Sequence, residues 1–370
     1  MAEDKFVAYV SSYTMGESEP YGIRTFDVDV KNGRMTAKQT IPITNSSYIS
    51  ISHNRKILYS ITDMGVEAYK LSADGSLTQL GGTVPINGMR GCYLSTDYND
   101  RFLFTGGFHD GKITVLKLKS DGSVGEITDE IFHKGIGSIG ESTFRPHVTC
   151  VKMTRDNKYL LAADLGTDYT YVYRFHSDKG KLEPVDIIRS DQNSGPRHIK
   201  ISVDGRFVYI VQEKKNAIDV YSYEEKNGIP EFERIQSVST LNEYHSSVCA
   251  TSALNLSRDC NYIISSNAGD NSVVAFKIDR NDGTLKKMFC LPISGEYPKD
   301  AILYPDNKHL VSVNHESETM TLFKVDMDKG VIMMNGPAIK VPRPNCIIIH
   351  RIGRGSTAKK SVKGEEINDE

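Results

Sequence analysis

The sequence predicts an all-β chain folded as a seven-bladed β-propeller with four antiparallel strands in each blade. Three observations carry this. A module of apolar run, Asp/Asn-containing turn and second apolar run recurs as SYISISHNRKILYSITD (47–63), YLSTDYNDRFLFTGG (93–107), HVTCVKMTRDNKYLLAAD (147–164), RHIKISVDGRFVYIVQE (197–213), ALNLSRDCNYIISSN (253–267) and DAILYPDNKHLVSVN (300–314). The copies lie about 44–57 residues apart, and short strands at that period indicate propeller blades. A further alternating strand recurs seven times, as GIRTFDVD, GVEAYKLS, KITVLKLK, YTYVYRF, AIDVYSY, SVVAFKID and TMTLFKVD, beginning at Gly22, Gly65, Lys112, Tyr169, Ala217, Ser272 and Thr319. Finally, the chain opens on FVAYVSSYT, which matches a second strand rather than a first, and closes on an unpartnered apolar strand, NCIIIHRI (345–352).

Each strand follows from local chemistry. In blade four the strands are HVTCVKM, YLLAAD, YTYVYRF and KLEPVDIIR. Arg155-Asp156-Asn157-Lys158 joins the first two and Ser177-Asp178-Lys179-Gly180 the last two, both short and built from residues that tolerate turn geometry. The third strands run into similar turns, such as Lys31-Asn32-Gly33, Ala73-Asp74-Gly75, Ser120-Asp121-Gly122 and Asn281-Asp282-Gly283. The C-terminal strand is expected to complete the N-terminal blade as its innermost strand, so that no sheet edge stays open. Residues 1–352 then form one domain, and 353–370 a disordered polar tail. The glycines of Lys134–Arg145 indicate a mobile loop. They lack the P-loop pattern.

Composition narrows the function. A net charge of −2 over 370 residues gives no footprint for nucleic acid or an acidic membrane, and no stretch reaches the length of an apolar membrane span. The N-terminus has no basic-then-apolar signal region. The six cysteines include no C-x-x-C pair and read as reduced, mostly buried thiols of a cytoplasmic protein. The absence of Trp argues against WD40 blades. No metal-ligand spacing is apparent and no cofactor is expected.

Candidate site residues lie where second strands end and first strands begin, because these positions converge on one mouth of the central channel. The second-strand ends carry Ser11, Thr62 or Asp63, Gly107, Asp164, Gln212-Glu213, Asn267 and Asn314-His315. Their polar side chains suit either a binding site or local capping of loops. Gly195-Pro196-Arg197-His198 opens the first strand of blade five, with Arg145-Pro146-His147 and Tyr297-Pro298-Lys299 at comparable places. Proline suits the first residue of a strand. Arginine reads carboxylate or phosphate, and histidine moves protons near neutral pH.

Through these segments the chain resembles the bacterial 6-phosphogluconolactonase family of seven-bladed propellers, across about residues 6–350. The resemblance rests on RPHVTCVKMTRDNKYLLAADLGTDYTYVYRF, SGPRHIKISVDGRFVYIVQEKKNAIDVYSY and SNAGDNSVVAFKID. It keeps Pro146-His147, Asp164-Leu165-Gly166, Gly195-Pro196-Arg197-His198 and Glu213. It departs at Thr149 and Asn255, where the family has His, at Gln212 for Asn, at Ala268 for Arg, and at Lys299 for Arg. The resemblance implies hydrolysis of a small anionic sugar lactone, 6-phospho-D-glucono-1,5-lactone, within glucose metabolism and the pentose phosphate pathway. Glu213 or His198 would activate water and Arg197 would meet the oxyanion or phosphate. His147, Lys299, Asp164, Asn267 and Asn314 would bind substrate. No nucleophile-elbow motif points to a covalent serine mechanism. Two alternatives stay open: a carboxy-muconate cyclase-like enzyme acting on another lactone, and a non-catalytic propeller binding a small anion or a protein.

Overall fold

The computed structural model describes residues 4–14, 21–135, 145–245 and 249–354. Most of the Lys134–Arg145 loop and the tail beyond Arg354 lie outside the described residues. Seven antiparallel sheets arise, each with four principal strands, and no helix occurs among the described residues. All seven recurrent strands occupy the third place in their sheets. They span Ile23–Asp29, Gly65–Leu71, Lys112–Leu118, Tyr169–His176, Ala217–Lys226, Ser272–Ile278 and Thr319–Asp326. Blade seven carries an extra two-residue strand, Ile339–Lys340, beside its third strand.

Ring closure follows the predicted route. Pro344–Arg354 pairs antiparallel with Asp4–Ser12, matching Tyr9 to Ile348 and Val10 to Ile347. The strand continues through Arg354, slightly past the expected boundary at residue 352. The first strands touch one another in sequence around the axis, and Pro344–Arg354 reaches Ile49–Ile51 to close the circle. They are therefore the innermost strands.

Apolar faces of neighbouring sheets make the core, with Phe104, Val151, Leu160, Leu161 and Val172 fully buried in one such cluster. Burying side chains of this size stabilises by about 1.5–3 kcal/mol each before entropy is subtracted. Polar ties add direction. Second-strand tyrosines reach the outer hairpin of the next blade: Tyr9 Oη donates to Gly75 O at 2.7 Å, and Tyr59 and Tyr159 donate to Gly122 O and Gly228 O at 2.9 Å. The accepting glycines all have positive φ, a conformation that costs glycine little.

Candidate active site

A cavity of about 330 Å³ opens at the mouth where first strands begin and second strands end. Arg197 and His198 enter it from the start of Pro196–Ile201, and Lys299 and Asp300 from the start of Pro298–Leu303. Glu213 arrives just after the second strand Phe207–Gln212. The Gly195 turn sets this corner. At φ +66° it leads into Pro196, donates its amide to Asp168 Oδ1 at 2.8 Å and accepts the Glu213 amide at 2.7 Å. Arg197 and Glu213 are thereby held against one another as an ion pair.

Burial opposes charge on Arg197, but the Glu213 carboxylate outweighs it and raises the guanidinium pKa. For Lys299, burial and then Arg197 push the ammonium down to about 8, with Glu213 opposing. Its Nζ lies 4.9 Å from the Tyr297 ring centre. Burial, then Arg197 and Lys200, hold the His198 imidazole well below its ordinary range. The Leu254 amide donates to His198 Nδ1 at 3.3 Å. The neutral ring therefore carries its proton on Nε2, and His198 is a hydrogen-bond donor rather than a base.

The structure separates the sequence-derived candidates into two groups. Arg197, His198, Glu213 and Lys299 share the cavity wall. His147, Asp164, Asn267 and Asn314, expected as substrate-binding residues, are buried and are not part of that wall. His147 is 2% exposed, stacks on Phe108 and donates Nδ1–H to the Phe108 carbonyl. Asp164 Oδ1 accepts the amides of His147, Gly166 and Thr167 at 2.8, 3.0 and 3.2 Å, while Oδ2 meets His133 Nδ1 at 2.7 Å. Asn267 Nδ2 donates to Thr240 O and Ser272 Oγ, both at 3.0 Å. Asn314 Nδ2 donates to Thr319 Oγ1 and Thr321 Oγ1 at 3.1 and 3.0 Å. These bonds tie the four side chains to the scaffold, where a buried polar group costs about 1–3 kcal/mol when left unpaired, although His147 Nε2 and Asn314 Oδ1 are buried without a partner.

Sequence reasoning missed several wall residues. Arg90 bonds Asp63 at 3.0 Å and lies 5.0 Å over Tyr13. It precedes a first strand, as Arg145 does, but Gly91 follows it where the other segments have proline. Asp300 is the residue after Lys299, at the end of the motif already singled out. Burial raises its pKa. Asn255 Nδ2 and the Ala301 amide donate to Oδ1 at 2.6 and 2.9 Å, and the Ile347 amide to Oδ2 at 3.0 Å. Thr149, by contrast, is among the departures noted in the sequence, and it is on the wall with its hydroxyl donating to the Pro196 carbonyl at 3.0 Å. Cys92 lines the cavity too, but burial pushes its thiol up to about 12, which removes it as a nucleophile at neutral pH.

The cavity at this mouth of the seven-bladed propeller gathers Arg90, Arg197 and Lys299 with the carboxyl groups of Glu213 and Asp300 and the imidazoles of His109 and His198. Residues 7–349 match the family described as Lactonase, 7-bladed beta-propeller, and the chain belongs to that family. It is 29% identical over 355 residues to a 6-phosphogluconolactonase of Bacillus subtilis, covering 94% of this chain and 99% of the relative. A putative 6-phosphogluconolactonase of Bacteroides fragilis superposes with a TM-score of 0.83 at 27% identity, covering 94% and 98% of the two chains. A periplasmic gluconolactonase of Pseudomonas aeruginosa shares the fold, with a TM-score of 0.85 at 24% identity over 94% of this chain and 99% of that one.

Proposed function

We propose that this protein hydrolyses a sugar lactone, with 6-phospho-D-glucono-1,5-lactone as its substrate. The observation that carries this reading is the grouping of Arg197, Glu213, His198 and Lys299 on one cavity wall. Its volume falls within the range of small-molecule sites. In this mechanism water attacks the lactone carbonyl carbon and Glu213 accepts its proton. Arg197 and the Nε2–H of His198 stabilise the oxyanion that forms. The intermediate collapses by breaking the bond from that carbon to the ring oxygen. The ring oxygen takes back the proton that Glu213 accepted, leaving a hydroxy acid and the Glu213 carboxylate. Lys299 and Arg90 hold the phosphate through charge-assisted hydrogen bonds. The names of the relatives at 27% and 29% identity support the phosphorylated lactone over its unphosphorylated counterpart.

The test is the rate of loss of freshly prepared 6-phosphogluconolactone, corrected for spontaneous hydrolysis, beside the same measurement with glucono-1,5-lactone. The expected result is a large excess over the spontaneous rate with preference for the phosphorylated lactone. A rate equal to the spontaneous one for both would overturn the proposal.

A further inference from the structure

The opposite mouth of the channel carries a second concentration of charge. A cavity of about 230 Å³ is floored by Ile302, Leu303 and Pro305 and ringed by Arg55, Arg258, His350 and Arg351. These residues lie at or beyond the far ends of first strands, or in the turn after Ile49–Ile51. A first strand such as Pro298–Leu303 rises about 3.3 Å per residue, which puts the two mouths roughly 17 Å apart.

The second mouth differs from the first in how its charge is balanced. At the first, Arg197 pairs with Glu213 and Arg90 with Asp63. At the second, Arg351 pairs with Asp4 at 2.7 Å. Arg258 lies 4.9 Å over the Phe6 ring, with no hydrogen bond or ion pair from its guanidinium to a described residue. Arg55 likewise has no side-chain partner among the described residues. The groups feel one another. Burial, then Arg351 and Arg55, lower the Arg258 pKa, while Asp4 opposes them. Burial, then Arg55 and Arg258, push His350 down to about 4. Further along the channel Lys152, also without an ion pair among the described residues, is pushed down to about 8 by burial and then Lys200.

Like charges gathered around one hollow repel, and among the described residues no carboxylate bonds Arg55 or Arg258; Asp4, which bonds Arg351, only partly offsets the repulsion at Arg258. An apolar floor under guanidinium forks suits a compact dianion, which the forks can grip by two parallel hydrogen bonds. We infer that the far mouth of the channel is a second anion site, formed by Arg55, Arg258 and Arg351, that takes a phosphate group. Free inorganic phosphate and the phosphate of a small phosphorylated metabolite offer the same chemistry to it. The site is separate from the candidate active site and does not depend on its reading.

The experiment titrates the full-length protein calorimetrically at low salt with inorganic phosphate, inorganic pyrophosphate, glucose 6-phosphate and malonate. It uses wild type, an Arg197→Ala/Lys299→Ala variant and an Arg55→Gln/Arg258→Gln variant. The expected result is pyrophosphate binding that survives the first variant, weakens at least tenfold in the second and falls with added salt. Tighter binding of glucose 6-phosphate than of phosphate identifies a metabolite, and the reverse identifies the free ion. Equal binding of malonate, or loss of binding only in the Arg197→Ala/Lys299→Ala variant, overturns the proposal. Should the Arg55→Gln/Arg258→Gln variant not fold, the imidazole signals of His350 in wild type, assigned with His350→Gln, decide. They shift on adding pyrophosphate if the site exists and stay in place if it does not.

Discussion

Asp164 and Glu213 close the second strands of adjacent blades, yet one is built into the scaffold and the other faces the cavity. The difference is a single step in register. Asp164 pairs with Tyr169 and is the last residue of its strand; its equivalents are Gln212, Asn267 and Asn314, which pair with Ala217, Ser272 and Thr319. All four are fully buried. Glu213 is the next residue, and its counterparts include Tyr13 and Phe108, which also line the cavity. Asp63 stands at the same step in blade two and holds Arg90. Successive side chains on a strand point to opposite sides, so one ring of residues ties down the loops and the next faces the cavity.

The largest expected effects come from the residues that face the cavity. Glu213→Gln keeps the side chain's shape and removes its basicity. Turnover of the lactone is expected to fall by about 10²–10⁴, the usual worth of a general base, with the melting temperature nearly unchanged. Arg197→Ala is expected to cost about 10²–10³ in turnover, with stability changed by no more than about 1 kcal/mol, since the site is partly open to solvent. Comparing turnover with melting temperature for each variant separates the roles. Equal loss of both in either variant would place that residue in the scaffold and collapse the distinction between the rings.

The fold was legible because it rests on patterns that repeat. Seven third strands share an alternating pattern, and the lone strand at 345–352 had no partner other than the unpaired edge of FVAYVSSYT. The location of the mouth was legible for the same reason. The one-residue register was not, because Asp164, Asn267 and Asn314 carry the polar chemistry that both rings use. A sequence repeat finds the end of a strand only to within a residue or two, whereas the side chain's direction reverses with each residue. His147 differs from His198 in another way. It follows Arg145-Pro146 as His198 follows Arg197, but Phe108 covers it. Asp300 and Arg90 stayed hidden because their roles depend on contacts with Asn255 and Asp63 across blades.

The buried ring gives the complementary prediction. Asp164→Asn leaves an amide where three backbone N–H groups and His133 meet a carboxylate. The expected loss is about 2–3 kcal/mol of unfolding free energy, because these bonds are charge-assisted and buried. Activity per folded molecule should change less than in Glu213→Gln. Denaturant unfolding beside turnover measures both. A stable but inactive Asp164→Asn would put Asp164 back among the substrate-binding residues.

The smallest effect concerns the cavity wall itself. Lys299 has its ammonium pushed down to about 8 by burial and by Arg197. Its charged form therefore predominates below that pH and is lost above it. A bound phosphate favours the ammonium and so raises this pKa, which means that binding takes up a proton as pH passes upward through about 8. Affinity must then fall with rising pH, by up to about tenfold per unit well above 8. The stable product 6-phosphogluconate is the suitable probe, because the lactone opens spontaneously in base. Its dissociation constant should rise about tenfold between pH 7 and pH 9. Lys299→Arg, which keeps its charge over this range, should flatten the profile. An unchanged slope in Lys299→Arg would assign the phosphate to Arg90 and Arg197 and leave Lys299 as a bystander on the wall.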